Sequence, residues 1–389
     1  MVAPWLVLLA ALCTFLLGVF VWAVFEHFLT TGVPSTLQNP AKFRFLHCVF
    51  LYMVTLKLGI CSMPRFIQFL HNSVRIKKDP GLVVTDLLFG TAPVRLFQPK
   101  AASPGPPRGI IFFHGGEAVL GSLDMYRALC AFLSQETDSV LLSVGKLLEE
   151  ISLATVWFCR AFTPVVDGQE RVQGGMGISA SFWQVCVVIC GHSAGAGIVT
   201  LTSQTLVGRS GLPRIRAQVL IYPIVQLINF RLPSFPQNQH VQFLTRNGAF
   251  IPPEVWKKYW KWVSADNIPE RFKKTDWTDY QPVFPGPFNE AAYLENNPLL
   301  DVKHTRLIKD DETIAQLPEA FLVSCEYDIL RDDIFLCKKC LEDQGVPVTW
   351  YHVEDGFHGS LILFDRKPFS FPCSLKIVNA LVSYIKSTL

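Results

Sequence analysis

Past residue 108 the chain alternates between short apolar runs rich in β-formers and stretches of helical character. The runs are Ile110–Phe113, Ser139–Val144, Val185–Cys190, Ala217–Tyr222, Ala320–Ser324 and Val346–Val353, and the helical stretches are 122–136, 194–208, 330–344 and 374–387. Strand and helix in alternation predict an α/β architecture: a mostly parallel central sheet covered by helices on both faces. In such sheets function gathers in loops beyond the carboxyl ends of the strands. The alternation lapses between 229 and 300, where Pro, Phe and Trp are dense and the composition is too apolar for a linker. That segment reads as an insertion forming a cap over the sheet. The resulting organisation is an anchor (1–25), an N-terminal cap or membrane-proximal segment (26–105), a first half of the core (106–228), the cap insertion (229–300) and a second half of the core (301–389).

The anchor is the run from Val2 to Phe25, which carries no charged side chain. About 20 apolar residues suffice to span a bilayer core as a helix. A cleaved signal peptide would begin with a basic region and end at a small-residue site after a shorter apolar core. No Lys or Arg precedes this run, so an uncleaved transmembrane helix is expected, with a buried core helix as the alternative. The flanks carry Glu26 and His27 and nothing basic before Lys42 and Arg44, so charge gives no orientation. A second apolar stretch, Phe45–Met63, is interrupted by His47 and Lys57. It reads either as a helix packed on the domain or as an amphipathic segment lying on the membrane.

Several function classes are disfavoured. Lys plus Arg number 35 against 32 for Asp plus Glu, a formal charge of +3 without a basic cluster, so no nucleic-acid partner is expected. Half the residues are hydrophobic and 17% are charged, against about 25% charged in soluble domains, which excludes intrinsic disorder. Eleven cysteines leave at least one unpaired. Cys337 and Cys340 form a lone C-x-x-C without a second pair, and Cys186 and Cys190 sit in an apolar run as core thiols. Neither a metal nor another cofactor is expected.

The chemistry concentrates at four places. Gly191-His192-Ser193-Ala194-Gly195 has the G-x-S-x-G form, a pattern that arises by chance in about one chain in ten of this length. Its setting makes it informative. An apolar strand precedes it and a small-residue helix follows, the arrangement in which a strained turn lifts a Ser hydroxyl above the sheet. Upstream, a strand ends in His114-Gly115-Gly116. A turn of that kind aims backbone amides at a developing oxyanion, so Gly115, Gly116 and Ala194 are the expected oxyanion hole. His114 is read as a structural residue of the turn. A Ser nucleophile needs a His base, and the base needs an orienting carboxylate. Of nine His residues, His358 in Asp355-Gly356-Phe357-His358-Gly359 lies just past a strand, while His352 falls within it and His192 belongs to the Ser turn. Asp328 follows the strand Ala320–Ser324 by a short turn, and Asp332 and Asp333 fall in the first turn of the next helix, where the helix dipole accounts for them. The order Ser193, Asp328, His358 is that of the α/β-hydrolases.

These motifs, together with Phe112-Phe113 before the His-Gly-Gly turn, Ile221-Tyr222-Pro223 and Glu326-Tyr327-Asp328-Ile329-Leu330-Arg331-Asp332, resemble the arylacetamide deacetylase family within the hormone-sensitive-lipase branch of the α/β-hydrolases. The resemblance covers nearly the whole chain. It implies an α/β-hydrolase fold and a single-pass protein of the endoplasmic reticulum with a lumenal serine-esterase domain. It implies a small apolar ester or amide as substrate, with Ser193, Asp328 and His358 matching the triad. Departures from the family pattern are Glu117 after His-Gly-Gly, His192 in place of an acid before the nucleophile, Ala196 after the turn, and an unfamiliar segment from Lys146 to about Gln184. The stretch near 245–251 is short relative to the family. Val119 stands where some relatives carry a cysteine paired with the equivalent of Cys325. Glu117 either points into the site, opposing the oxyanion, or faces solvent or a cation. The leading reading is a membrane-anchored serine carboxylesterase or deacetylase. The alternative is a catalytically weak relative that keeps the fold as a binding or interaction module.

Overall fold

The computed structural model describes residues 4–30, 33, 37–45, 80–89, 92–100, 108–116, 122–145, 187–208, 215–225, 234, 309–367 and 370–389. Glu117, Val119, Cys186, the 146–184 segment, the 229–300 insertion apart from Ser234, and the stretch 46–63 lie outside the described residues.

The strands, in chain order, are β1 (Leu82–Phe89), β2 (Ala92–Pro99), β3 (Gly109–Phe113), β4 (Val140–Val144), β5 (Val187–His192), β6 (Ile215–Ile221), β7 (Glu319–Tyr327) and β8 (Val348–Phe357). They form one eight-stranded sheet in the order β1-β2-β4-β3-β5-β6-β7-β8. From β4 to β8 every pairing is parallel. Strands β1 and β2 pair antiparallel with each other, and β2 pairs antiparallel with β4. Both lie within 26–105, the segment that the sequence sets apart from the core. Every residue of β3 and of β5 is buried, as expected of parallel strands covered on two faces.

The helices are α1 (Pro4–Thr30), α2 (Pro40–Phe45), α3 (Arg127–Glu136), α4 (Ala194–Leu206), α5 (Asp311–Ala315), α6 (Arg331–Asp343) and α7 (Pro372–Thr388). Side chains alternate across a strand, so paired residues report which helix covers which face. Phe335 of α6 packs edge-on against Trp350 of β8, with ring centroids 5.6 Å apart. Tyr384 of α7 stacks on Phe321 of β7 at 4.5 Å. Trp350 pairs with Leu322, the neighbour of Phe321, so the two helices lie on opposite faces. In α7 the buried Ile377, Val378, Leu381 and Ile385 fall at helical spacing and form its core stripe. The short α2 is held to the same body. Its Phe43 is fully buried, edge-on to Phe357 at 5.1 Å, and its Lys42 ammonium lies over the Phe371 ring and donates to the Ser370 carbonyl.

Helix α1 is 27 residues long, about 40 Å at 1.5 Å per residue, against a hydrocarbon core of about 30 Å. Its window Trp5–Trp22 has a mean hydropathy of 2.5, and none of its described residues is buried. It is long and apolar enough to cross a membrane.

The strand order places the site. From β3 the chain moves outward to β4, then crosses back to β5 on the other side of β3 and continues away through β6, β7 and β8. The order therefore reverses between β3 and β5, and a crevice opens above their carboxyl ends.

Candidate active site

Strands β3 and β5 run side by side, with Phe113 opposite Gly191. The His114-Gly115-Gly116 turn and Ser193 therefore leave the sheet as neighbours. Two glycines permit this closeness. A Cβ on Gly195 would collide with the carbonyl oxygens of Phe113 and His114, and a Cβ on Gly115 would collide with His192. Gly116, at φ 105°, has a backbone conformation that other residues rarely adopt.

Ser193 sits at φ 54° and ψ −119°, far from the regions open to a β-substituted residue. Such strain costs about 1–3 kcal/mol and persists only where surrounding bonds over-determine it. Here the Ser193 N–H donates to the Ile221 carbonyl at 2.9 Å, while its own carbonyl accepts from Ala196 N–H at 3.0 Å and Gly197 N–H at 3.2 Å. The turn is tied to β6 on one side and to α4 on the other. Ala194 opens α4, so its amide is among the first four of the helix, which have no intrahelical acceptor, at the positive end of the helix dipole.

Strands β7 and β8 both run further than their hydrophobic runs suggest. β7 reaches Tyr327 and β8 reaches Phe357, and these two residues are paired across a register shift. Asp355-Gly356-Phe357, expected in a loop, are strand residues. Gly356 is pressed against the Cys325 sulfur and the Val353 side chain, which leaves no space for a Cβ. Because Tyr327 and Phe357 are neighbours, the residues that follow them, Asp328 and His358, emerge together.

The three side chains that the sequence nominates meet above this edge. His358 Nε2 lies 2.9 Å from Ser193 Oγ, and its Nδ1 lies 3.0 and 2.9 Å from the two Asp328 oxygens. Asp328 is wholly buried and also accepts from the Leu330 N–H at 2.8 Å. A carboxylate on Nδ1 fixes the tautomer with the proton there and leaves the Nε2 lone pair facing the hydroxyl. Such an arrangement can withdraw the proton from Ser193 and return it to a leaving group.

His114 bonds through Nδ1 to the adjacent Gly115 carbonyl at 2.9 Å, and its ring stacks on Tyr126 at 5.8 Å. Both contacts are structural. His192 is buried, and its ring nitrogens meet two hydroxyls, Tyr126 at 2.9 Å and Tyr222 at 2.7 Å. Burial holds its pKa well below the ordinary histidine value, so the ring is neutral at physiological pH. His352 lies away from the triad, between Ser324 Oγ at 2.8 Å and Glu326 at 3.2 Å. Asp332 has a larger role than a dipole partner. Its carboxylate accepts the Ser234 N–H at 2.7 Å, and the Ser234 hydroxyl donates to the Ile329 carbonyl at 2.8 Å. Ser234, from the insertion, is thus clasped to the turn that carries Asp328.

The sequence did not single out Tyr126 or Ser234 as contributors, and it marked Tyr222 only as part of the motif Ile221-Tyr222-Pro223. Tyr222 had a signal, since it directly follows a strand at the functional edge. Tyr126 and Ser234 had none. Among the described residues no group of three His, Cys, Asp or Glu side chains could hold a metal ion. Cys325 is a free, buried thiol, and burial pushes its pKa up.

A family model described as alpha/beta hydrolase fold matches residues 170–284. Human arylacetamide deacetylase-like 4 is 59% identical over 99% of this chain and 100% of its own length. The chain belongs to the arylacetamide deacetylase family. Neutral cholesterol ester hydrolase 1 of mouse is a more distant relative, 26% identical over 94% of this chain and 97% of its own. A solved thermostable esterase from Pseudomonas putida superposes with a TM-score of 0.63 at 19% identity, covering 92% of this chain and 99% of that one, which fits the α/β-hydrolase architecture. As a member of the arylacetamide deacetylase family the protein is a carboxylic ester hydrolase by class.

Proposed function

We propose that the protein is a membrane-anchored serine carboxylesterase or deacetylase, acting on apolar short-acyl esters or arylamides through Ser193, His358 and Asp328. The observation that carries this reading is the continuous hydrogen-bonded path from Ser193 Oγ through His358 to a fully buried Asp328. In the first half-reaction Ser193 Oγ attacks the acyl carbon while its proton passes to His358 Nε2. The imidazolium, stabilised by Asp328, returns that proton to the departing alcohol or amine, leaving an acyl-serine. Water, deprotonated by the same nitrogen, then releases the acid. Gly115, Gly116 and Ala194 supply amides to the oxyanion.

The apolar substrate class is supported by the composition of the 229–300 insertion, dense in Phe, Trp and Pro, and by a relative named for cholesterol ester hydrolysis. Helix α1 is the proposed anchor, with the hydrolase domain on the lumenal side of the endoplasmic reticulum. Reaction with a fluorophosphonate tests the catalytic reading, because that reagent labels only an activated serine. Label is expected on Ser193, with none on the Ser193→Ala protein. An unlabelled wild-type protein would favour the non-catalytic alternative.

A further inference from the structure

The buried groups around Ser193 form a second hydrogen-bonded path that the proton transfers do not use. It begins at the His-Gly-Gly turn, where the His114 ring stacks on Tyr126 and Gly115 lies close against His192 and the Tyr126 hydroxyl. It continues from the Tyr126 hydroxyl to His192 Nδ1 at 2.9 Å and from His192 Nε2 to the Tyr222 hydroxyl at 2.7 Å. It ends where the Tyr222 hydroxyl accepts the Leu361 N–H at 3.2 Å, in the 3₁₀ turn Ser360–Leu363 that follows His358. The Tyr222 ring also packs against the His358 ring, with centroids 4.8 Å apart. Tyr222 is held at φ 34°, a conformation that needs a cause in a residue with a Cβ, and the Tyr222 N–H donating to the Val323 carbonyl at 2.9 Å is part of it. All three rings are buried, at 1% exposure or less.

From this path we infer that His192 is a positioning residue for the reaction, joining the oxyanion turn to the base-bearing turn through Tyr126 and Tyr222. The chemistry of the bridge requires a neutral imidazole. A neutral ring offers one donor and one acceptor, so one tyrosine donates to it while the other accepts from it. An imidazolium would donate at both nitrogens and leave both phenol protons without His192 as acceptor, among groups that are all buried. The surrounding titratable groups are Tyr126, Tyr222, His358 and His114, and none supplies a negative charge to His192. The turn at Ser193 thus has two layers. Ser193 faces His358 for proton transfer, and His192, one residue earlier, sets the separation between the base and the oxyanion amides. Misplacement by even 1 Å at such a separation slows the chemical step with little effect on substrate binding.

The inference rests on the proposed serine-hydrolase function, and its test distinguishes the two. kcat and KM for a short-chain aryl ester and the rate of fluorophosphonate labelling are measured on the full chain for His192→Gln, His192→Leu, Tyr126→Phe, Tyr222→Phe and the double tyrosine variant. Gln keeps a planar donor–acceptor group that reaches toward Tyr222, whereas Leu keeps only volume. Positioning predicts that His192→Leu lowers kcat and the labelling rate by about tenfold or more at unchanged KM, the scale of one lost buried hydrogen bond. It also predicts that His192→Gln recovers most of that loss, and that the two tyrosine effects on kcat are non-additive. Equal losses in Gln and Leu that follow the melting temperature, an unmoved kcat, or additive tyrosine effects would overturn the inference while leaving the hydrolase reading intact. A wild-type protein that does not label would remove both.

Discussion

At Ser193 local strain and chemistry are the same feature. A residue at φ 54° and ψ −119° is kept there by bonds to Ile221, Ala196 and Gly197, and the reward is a hydroxyl lifted to meet His358. Ser193→Ala leaves those backbone bonds in place, so the fold is expected to survive while ester hydrolysis falls on the order of 10⁴-fold. A circular-dichroism melt beside an ester assay checks both halves. Gly195 makes the complementary case. Its missing Cβ is occupied by the Phe113 and His114 carbonyl oxygens, which belong to backbone and cannot swing aside. Gly195→Ala should therefore push α4 away from the His-Gly-Gly turn, costing about 1–3 kcal/mol of stability and at least tenfold in kcat. A variant with wild-type melting and turnover would mean that the two turns are not so closely packed.

Elements were legible in the sequence where burial makes a strand continuously apolar. β3, β4 and β6 stand within a few residues of their runs for that reason. The ends of β7 and β8 were not, because polar and glycine residues at the functional edge break the apolar pattern while backbone pairing continues to Tyr327 and Phe357. The contact of Ser193, His358 and Asp328 lies where chain order and strand-end positions point, because both are sequence properties, but the bridge at His192 depends on Tyr126, which only folding brings near. The edge hairpin of β1 and β2 mixes exposed and buried residues, including Arg95 bonded to Asp86 and Asp124, and so lacks a core-strand signature. Helix α2 is an equally hidden element. Six residues long, it places Phe43 against Phe357, the residue immediately before His358. Phe43→Ala removes a wholly buried ring from beneath that turn, and a loss of about 3–5 kcal/mol is expected in chemical denaturation. A loss under 1 kcal/mol would show that α2 rests loosely on the core.

At the scale of the whole molecule, the Trp5–Trp22 window of α1 adds no described residue to the buried core, and among the described residues the domain's packing begins at Val33. The Trp5–Trp22 window is unburied, while Leu37 and Phe43 belong to the core cluster. Removing residues 1–30 should consequently separate anchoring from catalysis. The full chain is expected to stay in the membrane pellet through an alkaline carbonate wash, since a span of this apolarity is far harder to extract than a surface contact. The shortened chain, with Leu37 and Phe43 intact, should appear in the soluble fraction and label at Ser193 at a rate within about twofold of the full chain, because no described residue of the Trp5–Trp22 window is buried in the domain. Two other results would be decisive in different ways. Release without labelling would mean that α1 supports the site from outside the core. Continued pelleting with labelling preserved would remove α1 as the sole anchor and assign membrane attachment to another apolar segment, for which Phe45–Met63, interrupted by His47 and Lys57, has the amphipathic composition required.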